Sequence, residues 1–239
     1  VDHNHRFLTQ RQRAKMATLT ATPLPGGLRL SDPLGSEVDV SVPACSARQV
    51  SVHVWADQVS ALPAATEASQ WLSERLGCEC RLVYLPASSE RGVADFADSL
   101  VGFADGYPAL LTHDASLLEL NRALNTADHP AVPMDRFRAN IVVSSVGDGA
   151  AFDEDRWAEL QVPGGRLVNA KPCERCMVIT TDQQTGERDQ SREPLNSLRA
   201  LHGDLDGNGL FGINLIAQPD REDGVLSLAI GDRLQVVYQ

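Results

Sequence analysis

The residues best suited to chemistry lie in Lys171-Pro-Cys-Glu-Arg-Cys-Met-Val-Ile-Thr-Thr-Asp-Gln-Gln-Thr-Gly186. Cys173 and Cys176 are three positions apart, and Lys171 and Arg175 stand on either side of the first. Cationic surroundings favour the thiolate, the form that attacks electrophiles or binds soft metals. The run Met177-Val-Ile-Thr-Thr181 has strand composition. Asp182-Gln-Gln-Thr-Gly186 reads as a hairpin loop, with Gly186 free to take a positive φ. The second thiol is therefore expected at the entrance to a strand.

A zinc site needs four nitrogen or sulfur ligands, usually as two spaced pairs. Cys78-Glu-Cys80 is the other close cysteine pair, and no histidine pair at ligand spacing accompanies it, so zinc is not expected. A thioredoxin-type centre puts its first thiol at a helix start, which the composition of residues 177–181 does not suit. Free cysteines also serve as small buried hydrophobes. Spacing alone leaves a functional pair and two inert thiols both open.

The elements that must position these groups are short and mostly extended. The 239 residues suffice for one large or two small domains. Runs at 17–22, 28–30, 38–42 and 50–54, separated by Pro, Gly and Ser, suggest a small barrel or sandwich. Thr66 can cap a helix to Leu76, with Gly77 as its stop. Residues 81–85 read as a strand, and residues 86–101 as a mobile loop between two lobes. Residues 107–111 read as a strand, after which Thr112 or Asp114 caps a helix with Leu117, Leu120 and Leu124 on one face; Ser116-x-x-Glu119 is a possible capping box. Arg136-Phe-Arg-Ala-Asn-Ile-Val-Val143 alternates as a strand that puts Arg138 and Asn140 on one side. They face either a polar pocket or solvent. Asp153-Glu-Asp-Arg-Trp157 is an acidic corner before a strand. Residues 211–216 form a strand with Asn214 between apolar neighbours, and residues 225–228 and 234–237 close the sheet.

Composition removes several function classes. A net charge of −11 argues against a nucleic-acid partner, which needs a basic face. No apolar run reaches the roughly 18 residues of a membrane span, so no membrane partner is expected. Five cysteines without framework spacing fit a reducing cytoplasm. The Asp- and Gly-rich run at 203–209 matches no complete EF-hand, so calcium is not expected. The start at Val1-Asp-His-Asn reads as the middle of a strand–turn unit, as if the natural N-terminus were missing.

Lys171-Pro-Cys-x-Arg-Cys, Thr180-Thr-Asp and Thr185-Gly resemble the MOSC domain, the module named after the C-terminal part of molybdenum cofactor sulfurases. More narrowly, they look like the branch that holds the mitochondrial amidoxime-reducing component and the bacterial hydroxylaminopurine-detoxifying reductases. Phe103-Ala-Asp-Gly-Tyr-Pro108, Arg136 to Val143, Asp153 to Trp157, Phe211-Gly-Ile-Asn-Leu-Ile216 and the closing segment with Gly231-Asp232 recur there in this order.

The resemblance implies an α+β, predominantly antiparallel β fold. Residues 1–87 would be a truncated MOSC N-terminal β-barrel-like lobe, and residues 88–239 a MOSC-type β-barrel with peripheral helices. It implies a molybdenum cofactor (Mo-molybdopterin) whose protein ligand is Cys176, with Cys173 in support. Arg11, Arg138, Asn140, Lys171 and Arg175 are implied cofactor contacts, Arg11 at the phosphate. Asp105 and Thr112 would line the cleft, and Asn214 would lie near the metal and orient substrate. Without the resemblance, Arg11 reads as an exposed strand arginine.

The implied reaction is reduction of N-hydroxylated compounds such as hydroxylaminopurines, amidoximes and hydroxylamines. Pyridoxal phosphate binding is also associated with the family. The alternative is a molybdopterin or sulfur carrier that uses Cys176 without substrate turnover. Many bacterial relatives carry a C-terminal 2Fe-2S domain, and this chain has no four-cysteine ferredoxin run. An external ferredoxin- or flavin-type donor is therefore expected, unless the chain is trimmed. A missing N-terminal strand would remove Lys and Ser cofactor contacts that the family has there.

Overall fold

In the computed structural model, which describes residues 1–94, 96–146, 149–221 and 224–239, the chain folds as two units. The first comprises Val1–Asp105 and Thr181–Arg188, the second Gly106–Thr180 and Asp189–Gln239. The boundary expected at residue 87 thus falls inside the first unit. The Arg91 guanidinium explains why the chain stays there: it donates to the carbonyls of Gly102, Ala104 and Asp105 at 2.7–3.0 Å and pairs with Asp57 at 2.7 Å.

The first unit opens its regular structure with β1 (Thr20–Leu24), β2 (Gly27–Ser31) and β3 (Glu37–Ser41), an antiparallel sheet in that order. A second sheet pairs β4 (Val50–Val54), β5 (Asp57–Pro63) and β6 (Val83–Tyr84), also antiparallel. Helix α1 (Thr66–Leu76) lies between β5 and β6 in the chain. It buries Ala68, Trp71 and Leu76 and stops where Gly77 takes φ +64°, as its spacing requires. Its N-cap is Ala65, not Thr66. The segment read as a mobile loop contains the hairpin strands β7 (Gly92–Val93) and β8 (Phe96–Leu100); Asp95 within it lies outside the described residues.

The second unit is built on β9 (Ala109–His113), β10 (Ile141–Val143), β11 (Trp157–Val162), β12 (Gly165–Arg175), β13 (Gly209–Pro219) and β14 (Gln235–Tyr238). They form one sheet in the order β10-β9-β13-β12-β11-β14, parallel at β10/β9 and antiparallel elsewhere, curled as a half-barrel. Helices α2 (Asp114–Thr126) and α3 (Leu195–Leu201) complete the unit. Leu120, Leu124, Phe137, Ile179, Leu195, Leu198 and Phe211 are buried together as one core, with the Phe137 and Phe211 rings stacked at 3.8 Å. The other core sets Leu111, Ile213 and Leu215 with Trp157, Leu160 and Leu167.

Several local expectations are corrected. Residues 177–181 are not a strand: Met177–Thr180 is a 3-10 turn. Ile179 is 1% exposed in the Phe137 core, and a single turn delivers it there while the Thr180 hydroxyl back-bonds to the Met177 carbonyl at 2.8 Å. The strand is β12, which includes the first thiol and ends immediately before the second. Residues 136–140 are not extended either, because Met134–Phe137 is a 3-10 turn and Arg138 follows at φ +55°. The helix after β9 is capped by His113, whose Nδ1 accepts the Ala115 N–H at 2.9 Å. Ser116 is therefore inside the helix, and its hydroxyl goes to Glu154 at 2.8 Å instead of closing a capping box. Among the described residues, 225–228 carry no strand.

Candidate functional site

The long strand β12 carries the two-cysteine motif to its end. Its pairing with β13 slips twice, between Asn169 and Lys171 and between Pro172 and Glu174. Opposite the second slip, Gly212 has φ +76°, and a Cβ there would meet the Leu111 carbonyl oxygen at 2.3 Å. Only glycine lets three strands approach this closely. Such irregularities turn side chains off the regular alternation, and they sort the motif onto two sides of the strand.

Cys173 and Arg175 share one side. Arg175 Nη1 donates to Cys173 Sγ at 3.1 Å and Nη2 donates to the Phe137 carbonyl at 2.7 Å, with the guanidinium over the Phe137 ring. Arg175 Nε is buried without a hydrogen-bond partner. Lys171 and Glu174 meet each other, Nζ to Oε1 at 3.1 Å, each side chain about half exposed. The Glu174 carboxylate holds the Lys171 ammonium above its ordinary range. Cys176 follows directly after β12. Its carbonyl accepts the Ile179 N–H at 3.3 Å, and its side chain, like that of Cys173, is half-buried and free of any disulfide.

A row of polar groups crosses the sheet beside this end of β12. Lys171 is the register partner of Asn214 on β13, and Asn214 is the partner of Leu110 on β9. Asn140 completes the row: its N–H donates to the Leu110 carbonyl and its Oδ1 accepts the Leu110 N–H, both at 2.9 Å. Asn140 thus braces the entry to β9. Asn214 is half-buried. Arg138 is exposed at the C-cap of its 3-10 turn, two residues before Asn140. Thr112 is fully buried, with its hydroxyl on the Met134 sulfur at 3.3 Å.

Of the residues expected to form the site, Thr112, Arg138, Asn140, Lys171, Arg175, Cys176 and Asn214 belong to the second unit, and Arg11 and Asp105 to the first. The segment 6–12 is not extended throughout, because the N–H groups of Gln12 and Arg13 both return to the Thr9 carbonyl at 3.0 Å and close a turn around Arg11. The Arg11 guanidinium lies 4.9 Å from the centroid of the Trp55 ring and 3.7 Å from an Asp105 carboxylate oxygen. The hairpin loop after the cysteines forms as expected, with Gly186 at φ +70° and the Gly186 N–H on the Asp182 carbonyl at 2.8 Å. Its Arg188 donates to the carbonyls of both Gln10 and Arg11, at 2.7 and 2.6 Å.

Sequence reasoning passed over Glu174 and Trp55. The i, i+3 spacing of Glu174 from Lys171 was its one signal. Trp55 was marked by an aromatic where a two-residue hairpin loop wants Gly or Asn. Among the described residues no three His, Cys, Asp or Glu side chains group so as to hold a metal ion, and no helix is long and apolar enough to cross a membrane.

A domain model described as "MOSC domain" matches residues 98–235, more than half of the chain, and one described as "MOSC N-terminal beta barrel domain" matches residues 1–79. The chain belongs to the MOSC domain family. It is similar to the molybdenum cofactor sulfurase of Homo sapiens, 34% identical over 154 residues, which cover 58% of this chain and 17% of that protein. It is also similar to mitochondrial amidoxime-reducing component 1 of Mus musculus, 28% identical over 208 residues, covering 84% of this chain and 59% of that one. The molybdenum cofactor sulfurase of Danio rerio is 28% identical over 253 residues, covering 98% and 30%. The chain spans between 17% and 59% of the length of these relatives.

Proposed function

We propose that the protein is a molybdenum cofactor-dependent reductase of N-hydroxylated compounds. The observation that carries this reading is the end of β12. There a half-buried free thiol, Cys176, follows a lysine, Lys171, whose register partner is the amide of Asn214. The likeness to the mouse amidoxime-reducing component over 84% of the chain supports it.

The residues present fit the cofactor. Soft sulfur suits a molybdenum centre, and Cys176 offers one such ligand without a disulfide to break. Lys171 and Arg138 supply positive charge in the same unit for an anionic pterin. Bound there, the cofactor would supply the two-electron oxygen chemistry that side chains lack. The overall change takes R–NHOH, two electrons and two protons to R–NH2 and water. Asn214 has an amide donor and acceptor with which to orient an N–OH group. Cys173 is held by Arg175 and keeps the strand end in place. The electrons come from an external ferredoxin- or flavin-type donor, and five unpaired thiols fit a reducing compartment such as the cytoplasm.

A second reading is favoured by the molybdenum cofactor sulfurases among the relatives: a carrier that holds molybdopterin, or sulfur on Cys176, and passes it on without turnover. The deciding assay supplies benzamidoxime or a hydroxylaminopurine with a reduced donor to cofactor-loaded protein. A reductase consumes the substrate, and the consumption is lost in C176S; a carrier releases cofactor or persulfide and leaves substrate untouched.

A further inference from the structure

A second close pair of thiols lies in the first unit, outside the site described above. Helix α1 ends where Gly77 takes φ +64°, and Cys78-Glu79-Cys80 then turn back against Ser73. The Cys78 N–H donates to the Ser73 carbonyl at 3.2 Å. The Cys80 N–H donates to the Ser73 hydroxyl at 3.0 Å, and the Cys80 sulfur lies 3.6 Å from the same oxygen. Asp2 pairs with Cys80 as an antiparallel bridge. Both ends of the segment are therefore tied down.

The two thiols share one opening. An open groove of about 890 Å³ is lined by Ser69, Gln70 and Ser73 of α1 and by Cys78, Glu79 and Cys80. Side chains two positions apart in an extended segment face one side, which is how both cysteines reach it. Cys78 is half-buried and Cys80 is 5% exposed, and neither is in a disulfide. Glu79 is exposed between them and adds its charge to a chain of net charge −11. The groove therefore favours a cation over an anion.

The donor set decides which cation. Among the described residues no three His, Cys, Asp or Glu side chains group so as to hold a metal ion, so the pair must serve with two sulfurs alone. Zinc wants four donors, and magnesium and calcium want six or more oxygens. Cu(I) is soft, selects thiolates and is satisfied by two of them in a line. We propose that Cys78 and Cys80 form a two-coordinate site for Cu(I), with Ser73 as the positioning residue that sets the deeper sulfur. Loading exchanges protons for metal: one Cu(I) and two thiols give a bis-thiolate Cu(I) and two protons, with no change of oxidation state. The site lies wholly in the first unit and needs no molybdenum, so it stands or falls independently of the reductase reading.

The test titrates the full chain, purified with its thiols reduced and without cofactor, with Cu(I) under nitrogen. Bathocuproine disulfonate, a chelator whose copper complex is coloured, competes for the metal. The protein is expected to withdraw Cu(I) from the chelator and to release protons as it does so. C78S and C80S should each hold one Cu(I) fewer than wild type, and C45S the same number. C78S in a C173S background should hold one fewer than C173S itself, which keeps the other thiol pair out of the count. S73A should hold the same number about 10-fold more weakly, and X-ray absorption of the bound copper should show two sulfur neighbours. Equal copper in C78S and wild type, loss in C80S alone, or displacement by equimolar Zn(II) would overturn the proposal. C80S alters a buried side chain; should it fail to fold, C78S at the half-buried position decides.

Discussion

Arg175 and Cys173 face the same side of β12, with a guanidinium nitrogen 3.1 Å from the sulfur and its neighbour 2.7 Å from the Phe137 carbonyl. The two thiols of the motif therefore do different work. Cys173 is a fixture between strand and core, and Cys176 stands past the strand end with its carbonyl engaged in the turn that follows.

Replacing Arg175 with Gln removes both of these charged hydrogen bonds. The expected loss of unfolding free energy is about 1.5–3 kcal/mol, read by chemical denaturation. The Cys173 alkylation rate should also change in the folded variant, while Cys176 keeps its rate. Unchanged stability together with an unchanged Cys173 rate would show that the contact holds nothing.

Asn140 separates scaffolding from binding. The N140A variant leaves the Leu110 N–H without its side-chain acceptor and should be less stable by about 0.5–1.5 kcal/mol. The N140D variant keeps an acceptor and should stay within about 0.5 kcal/mol of wild type. A cofactor contact at this position adds a second expectation, that N140D retains less of the anionic pterin despite its normal stability. Equal pterin content in N140D and wild type would restrict Asn140 to bracing β9.

Glu154 is fully buried with the Ser116 hydroxyl on both its oxygens, and burial pushes its carboxyl above the ordinary 4.5. The folded state thus keeps a proton that the unfolded state has released. Stability falls as pH rises from about 4.5 through the raised folded value and then levels. The E154Q variant cannot titrate, so its unfolding free energy should lack this fall above about pH 4.5. Parallel curves for the two proteins would refute the assignment.

Parts of this architecture were legible because local chemistry and tertiary need agree. Helix α1 is written in the spacing of Ala68, Trp71 and Leu76 and in Gly77 as its stop, and the loop ending at Gly186 in its positive φ. Elsewhere distant partners decide. Met177-Val-Ile-Thr-Thr181 has strand composition, but Ile179 is claimed by the Phe137 core and the segment turns. Ser116-x-x-Glu119 has capping-box spacing, but the hydroxyl is taken by Glu154, 38 positions away. His113 caps α2 although histidine is no favoured cap. Within the site, Cys176, Lys171 and Arg175 were visible from residue type and spacing. The Lys171–Asn214 register was not, because it depends on bulges that one strand's sequence does not announce.

The most direct test of a cofactor role for Cys176 is the molybdenum and pterin content of protein from a host that makes the cofactor, compared among wild type, C176S and C173S. The expected result is about one molybdenum per chain in wild type, loss in C176S while the fold persists, and retention in a folded C173S. Equal content in C176S and wild type would contradict ligation by Cys176. Absence of molybdenum from wild type and from a version extended to the length of its relatives would contradict the reductase reading altogether.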